Sequence, residues 1–144
     1  MMLPDEAATG ALGTGLARSL RRGDVITLSG PLGVGKTALA RAILRALGHE
    51  GDVPSPSFAI VQPYEELDPP VWHVDLYRIE RTGELDELGL DSAGDAALLV
   101  EWPERAGEGA WPQALRLRLE FAEAGARRLT ADVPPPWQGR WPPE

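Results

Sequence analysis

The chain has 144 residues, 43% of them hydrophobic and 25% charged, the balance of one globular domain with a buried core. It has no cysteine, which excludes disulfides and Cys-ligated zinc and fits a cytoplasmic, reducing setting. A net charge of −8 argues against a broad electrostatic grip on nucleic acid. The opening MMLPDEAATG carries no basic n-region and no apolar h-region, so no signal peptide is expected. No apolar run approaches the roughly 18 residues of a membrane span.

In chain order, residues 5–21 predict a helix. Ala8, Leu12, Leu16 and Leu20 recur every four residues, and Asp5 stands where a cap belongs, although Gly10, Gly13 and Gly15 weaken the pattern. Val25–Leu28 is β-branched and apolar, as in a buried strand. A glycine-rich turn follows. Thr37–Leu47 then reads as a strong helix, with Leu39, Ile43, Leu44 and Leu47 on one face and Gly48 as the stop.

Ser57–Gln62 reads as a strand ending at Pro63, and Val71–Leu76 as another. Glu84–Leu90 is a short helix candidate, and Ala97–Trp102 an apolar strand closed by Pro103. Leu115, Leu117, Leu119 and Phe121 alternate with Arg116, Arg118 and Glu120. With Leu129–Val133 they predict an antiparallel hairpin, half exposed, turning at 122–126. These elements place one domain at residues 1–133, with an irregular Pro/Trp-rich tail over 134–144. Helices alternating with strands, then a hairpin, imply an α/β fold around a mixed, partly antiparallel sheet.

The turn between Leu28 and Lys36 carries the chemistry. Gly30-Pro31-Leu32-Gly33-Val34-Gly35-Lys36-Thr37 fits the phosphate-binding pattern G-x-x-x-x-G-K-[ST], with a strand before it and a helix after it. Glycines let backbone N–H groups turn toward phosphate oxygens, and the helix N-terminus adds a positive dipole end. Lys36 is placed to reach the β- and γ-phosphates, and the Thr37 hydroxyl to ligate Mg²⁺. Of the chain's 14 basic residues, Lys36 alone is lysine, so the bias toward arginine was not followed at the position that needs a compact ammonium.

Such a site also needs an acid at the end of an apolar strand. Asp75 ends VWHVD and Glu101 ends LLVE; the residues alone do not rank them. His73 and His49 read as hydrogen-bonded structural residues. The tryptophans read as core or covering residues, with Trp102 set apart because it follows Glu101. The chain has no asparagine and no second lysine, so the guanine-reading N-K-x-D motif is absent and ATP is the expected nucleotide. A motor or helicase needs more chain. A small-molecule P-loop kinase is the alternative, although no insertion supplies an Arg-bearing lid.

Together with Ser55-Pro56-Ser57-Phe58, His73-Val74-Asp75-Leu76-Tyr77-Arg78, Glu84-Leu85-Asp86-Glu87-Leu88-Gly89 and Glu101-Trp102-Pro103-Glu104, the P-loop makes a combination that resembles the bacterial TsaE (YjeE) family of small P-loop ATPases, from about Pro4 to Phe121. The resemblance implies a P-loop NTPase-like three-layer fold. It implies slow ATP hydrolysis in the threonylcarbamoylation of adenosine 37 in ANN-decoding tRNAs. The partners it implies are TsaD and TsaB, with tRNA reached only through that complex. On the same basis Thr37 and Glu101 would hold Mg²⁺, and Asp75 would stand near the metal and the attacking water. Lys36 would act in catalysis, with Gly30, Leu32, Gly33, Val34, Gly35 and Thr37 around the nucleotide. Glu6 would lie by the adenine. Ser55 and Ser57 would sense the γ-phosphate, and Trp102 would sit near the site and the partner surface. Three features depart from the family pattern: Pro31 where Asp is usual, Ser57 where Thr is common, and the tail from Pro134.

Overall fold

The computed structural model describes residues 1–56, 60–107 and 109–143. Its strands are β1 (Met2–Leu3), β2 (Val25–Ser29), β3 (Val61–Tyr64), β4 (Val71–Asp75), β5 (Ala97–Glu101), β6 (Leu115–Phe121) and β7 (Arg127–Asp132); its α-helices are α1 (Glu6–Ser19) and α2 (Lys36–Ala46). The strands form one seven-stranded sheet in the order β1-β7-β6-β2-β5-β4-β3. β6, β2, β5 and β4 run parallel, while β1, β7 and β3 join antiparallel at the two sides. The fold is therefore α/β with a mixed sheet.

Side-chain alternation divides the strands between two cores. Ile26, Leu28, Leu99, Leu115, Leu117 and Leu119 face α1 and α2 and form the main core. Val74, Leu98 and Val100 point the other way, toward Leu85, Leu88 and Leu90 on two 3-10 turns, Thr82–Leu88 and Leu90–Ala93. That pair of turns replaces the short helix expected at 84–90. Gly89, between them, has φ 69°, a left-handed value that breaks the helical run.

α1 starts where its cap predicts, because the Asp5 side chain accepts the Ala8 N–H at 2.9 Å. It ends at Ser19, short of the expected Arg21. Gly13 has a packing reason: a Cβ there would collide with the Cβ of Ala42 on α2. The glycine that weakens α1 as an isolated helix thus allows the two helices to touch.

Of the strand expected at 57–62, residues 57–59 lie outside the described residues. The observed β3 begins at Val61 and passes through Pro63, which an edge strand tolerates because one side has no ladder to feed. The hairpin forms as expected, with β6 alternating buried and exposed residues as far as Leu119, whereas Phe121, expected in line with the three leucines, is exposed. β1 was not legible: two residues carry no periodic signal, yet they pair with β7. The tail is irregular but packed. Trp137 is buried in the main core, and Arg140 grips Asp24 through two hydrogen bonds of 2.7 and 3.0 Å. Among the described residues, no helix is long and apolar enough to cross a membrane.

Candidate functional site

β2, β4 and β5 all end on the same edge of the sheet, where α2 begins. The turn from β2 into α2 passes through Gly30, Gly33 and Gly35, with φ of 141°, 76° and 118°. These values belong to a region that side chains resist, so the loop's path depends on glycine. At Gly33 and Gly35 a Cβ would meet only open space, so these glycines serve backbone conformation. Gly30 is also confined, since a Cβ there would collide with the Leu119 carbonyl oxygen.

Lys36 is the first residue of α2. Its Nζ donates to the carbonyl oxygens of Gly30 and Pro31, the latter at 3.0 Å, and lies 4.1 Å from the centroid of the Trp102 ring. Burial pushes the Lys36 ammonium below its ordinary range, while Glu101, Glu104 and Asp75 pull it back up. Pro31 has no N–H to offer, and its carbonyl accepts from Lys36 and from the Val34 N–H at 3.2 Å.

The two strand-end acids are neighbours. Asp75 on β4 stands in register with Glu101 on β5, and both are buried. Glu101 meets the first turn of α2: its two carboxylate oxygens accept from the Thr37 hydroxyl at 2.9 and 3.0 Å. Asp75 accepts the Tyr77 N–H at 2.9 Å, which turns the chain just after β4. Trp102, directly after Glu101, adopts φ 59° and ψ 49°, a left-handed conformation uncommon for a bulky residue. That turn sets its ring between Lys36 and Tyr77, whose ring centroid is 4.9 Å away.

Beside the loop lies a cleft of about 660 Å³, lined by Glu6, Thr9, Gly33, Gly35, Arg41 and Arg127. Arg127 donates through Nε to the Val34 carbonyl at 2.8 Å, tying the start of β7 to the loop. A larger groove of about 920 Å³ lies on the other face of β2 and β6, lined by Arg116, Arg118 and Thr27, and includes neither Lys36 nor the strand-end acids.

The family model for "Threonylcarbamoyl adenosine biosynthesis protein TsaE" matches residues 3–129, which take in the loop, both acids and the hairpin as far as the start of β7. The chain belongs to the TsaE family. A TsaE protein of Streptomyces coelicolor is 44% identical over 77% of this chain and 78% of its own length. One from Mycobacterium tuberculosis is 41% identical over 88% of this chain and 82% of its own. The crystal structure of Bacillus subtilis YdiB superposes with a TM-score of 0.82 at 28% identity, covering 97% of this chain and 88% of that one.

Against the TsaE pattern, the structure brings Lys36, Thr37, Glu101, Asp75 and Trp102 to one edge of the sheet. Glu6 sits apart from them, exposed on the first turn of α1 and lining the neighbouring cleft. Leu32 is exposed at the loop tip. Ser55 is exposed ahead of β3, and Ser57 lies outside the described residues. Sequence reasoning missed Arg127 and the contact of His73 with Glu101. For His73 a signal existed: two residues before Asp75 on one strand, it must share that acid's face.

Proposed function

We propose that this TsaE-family protein is a slow ATPase acting in the threonylcarbamoylation of adenosine 37 in ANN-decoding tRNAs, working on a complex of TsaD and TsaB. Its family membership carries the tRNA-modification role. The observation that carries the nucleotide chemistry is the Thr37–Glu101 contact, 2.9 Å, beside a lysine and a glycine-built loop at a helix N-terminus.

A hydroxyl and a carboxylate, both hard oxygen donors, suit magnesium better than a softer metal. Thr37 and Glu101 would hold Mg²⁺, which when bound would neutralise charge on the phosphates. The backbone N–H groups of residues 33–37 would cradle the phosphate chain of ATP. Lys36 would exchange its carbonyl partners for phosphate oxygens, leaving the ring of Trp102 to report the change. Asp75, buried next to Glu101, would stand near the metal and the attacking water. Glu6 and the cleft beside it are assigned to the adenine, and Ser55 and Ser57 to the γ-phosphate.

ATP turnover is expected to be slow alone and to rise with TsaD and TsaB, and Lys36→Ala is expected to abolish it. Release of inorganic phosphate as the only phosphoryl product separates this activity from a small-molecule kinase. Absence of stimulation by the partner pair overturns the proposal.

A further inference from the structure

We propose that His73 is a positioning residue that clamps Glu101 for the metal, an assignment that rests on the magnesium–ATP site proposed above. His73 is the central residue of β4 and has no exposed surface. Its Nε2 lies 2.7 Å from Glu101 Oε2. An ionised carboxylate only accepts, so the ring presents its N–H at Nε2. Glu101 is thereby held from two sides, by His73 from β4 and by the Thr37 hydroxyl from α2.

The other ring nitrogen makes this more than core packing. Nδ1 is buried and has no hydrogen-bond partner among the described residues. An unpartnered buried nitrogen is a cost that a leucine would not carry. The Nε2–Glu101 bond is what the imidazole contributes in return. Thr37 has two tasks in the proposed site, since its oxygen serves the metal as well as the carboxylate. His73 has only one, and keeps Oε2 fixed while Thr37 is engaged elsewhere. A group of this kind, one bond behind a ligand, commonly controls metal affinity by about 10- to 100-fold.

The test compares His73→Gln, whose amide N–H reaches as far as Nε2, with His73→Asn and His73→Leu, which cannot supply that donor. Binding of a fluorescent ADP analogue is measured in EDTA and across a Mg²⁺ titration, with kcat for ATP hydrolysis and thermal melting alongside. In EDTA all variants that fold are expected to bind like wild type. In the titration, His73→Asn and His73→Leu are expected to raise half-saturating Mg²⁺ about tenfold, with His73→Gln within about threefold of wild type. Should His73→Leu not fold, the polar pair Asn and Gln decides. Equal Mg²⁺ dependence in Asn, Gln and wild type overturns the clamp alone. Equal losses in Asn and Gln also overturn it, because the N–H would then be irrelevant. A wild-type protein that gains nothing from Mg²⁺ overturns the underlying site instead, and the clamp with it.

Discussion

The P-loop and the C-terminal tail are both irregular, rich in glycine or proline, and free of regular ladders. They differ in where their polar groups go. In the loop, Gly33 and Gly35 border open space, and Lys36 rests on carbonyl oxygens and a ring face. In the tail, Trp137 is buried, Arg140 stacks 3.9 Å from its ring centroid, and the same guanidinium binds Asp24 and the Ser19 carbonyl. The loop leaves open space beside its glycines, whereas the tail's guanidinium closes back onto the body of the chain. On the proposed reading, the contrast separates a ligand site from a fastening better than composition does.

Substitutions should split cleanly along that line. The largest effect is expected from Lys36→Ala, with ATP turnover down by at least about 100-fold and the melting temperature hardly moved. A large fall in melting temperature would mean the lysine also fastens the fold. Next comes Trp137→Ala, which leaves a core cavity and is expected to cost about 3–5 kcal/mol in denaturant unfolding. Below its new midpoint, nucleotide affinity should match wild type; loss of affinity would tie the tail to the site.

Gly30→Ala tests a residue that serves both ends, since the added Cβ would meet the Leu119 carbonyl at a φ of 141°. It should cost about 2–3 kcal/mol of stability and weaken nucleotide binding as well. Arg140→Ala is expected to cost about 2 kcal/mol, because Asp24, largely buried under the guanidinium, loses both of its bonds to Arg140 and, among the described residues, retains the Arg21 N–H. The smallest effect is expected at Pro31. Its carbonyl bonds survive any substitution and its side chain is exposed, so Pro31→Asp should change nucleotide affinity by less than about threefold in direct binding.

The same contrast explains how much could be read from the residues alone. The loop was legible because its parts lie within eight consecutive residues, where spacing and glycine content carry the meaning. The strand that ends in Glu101 was legible from its apolar run, but the contact with Thr37 spans 64 positions and depends on sheet order. The residues alone do not rank Asp75 and Glu101; the register sets them side by side, and the hydrogen bond from Thr37 goes to Glu101. His73 looked like core because burial was the expected property, and burial is what it has; its partner was the missing information. The tail was least legible. Asp24 and Arg140 are 116 positions apart, and no periodicity connects them.

The measurement that bears most directly on the central claim is tRNA threonylcarbamoylation in a reconstituted mixture with TsaD, TsaB, ATP and the activated threonylcarbamoyl donor. With wild-type protein, modified adenosine is expected to accumulate over many turnovers, and with Lys36→Ala or without the protein to stop near one round. Equal yields in all three mixtures would contradict the assignment of this P-loop to that reaction.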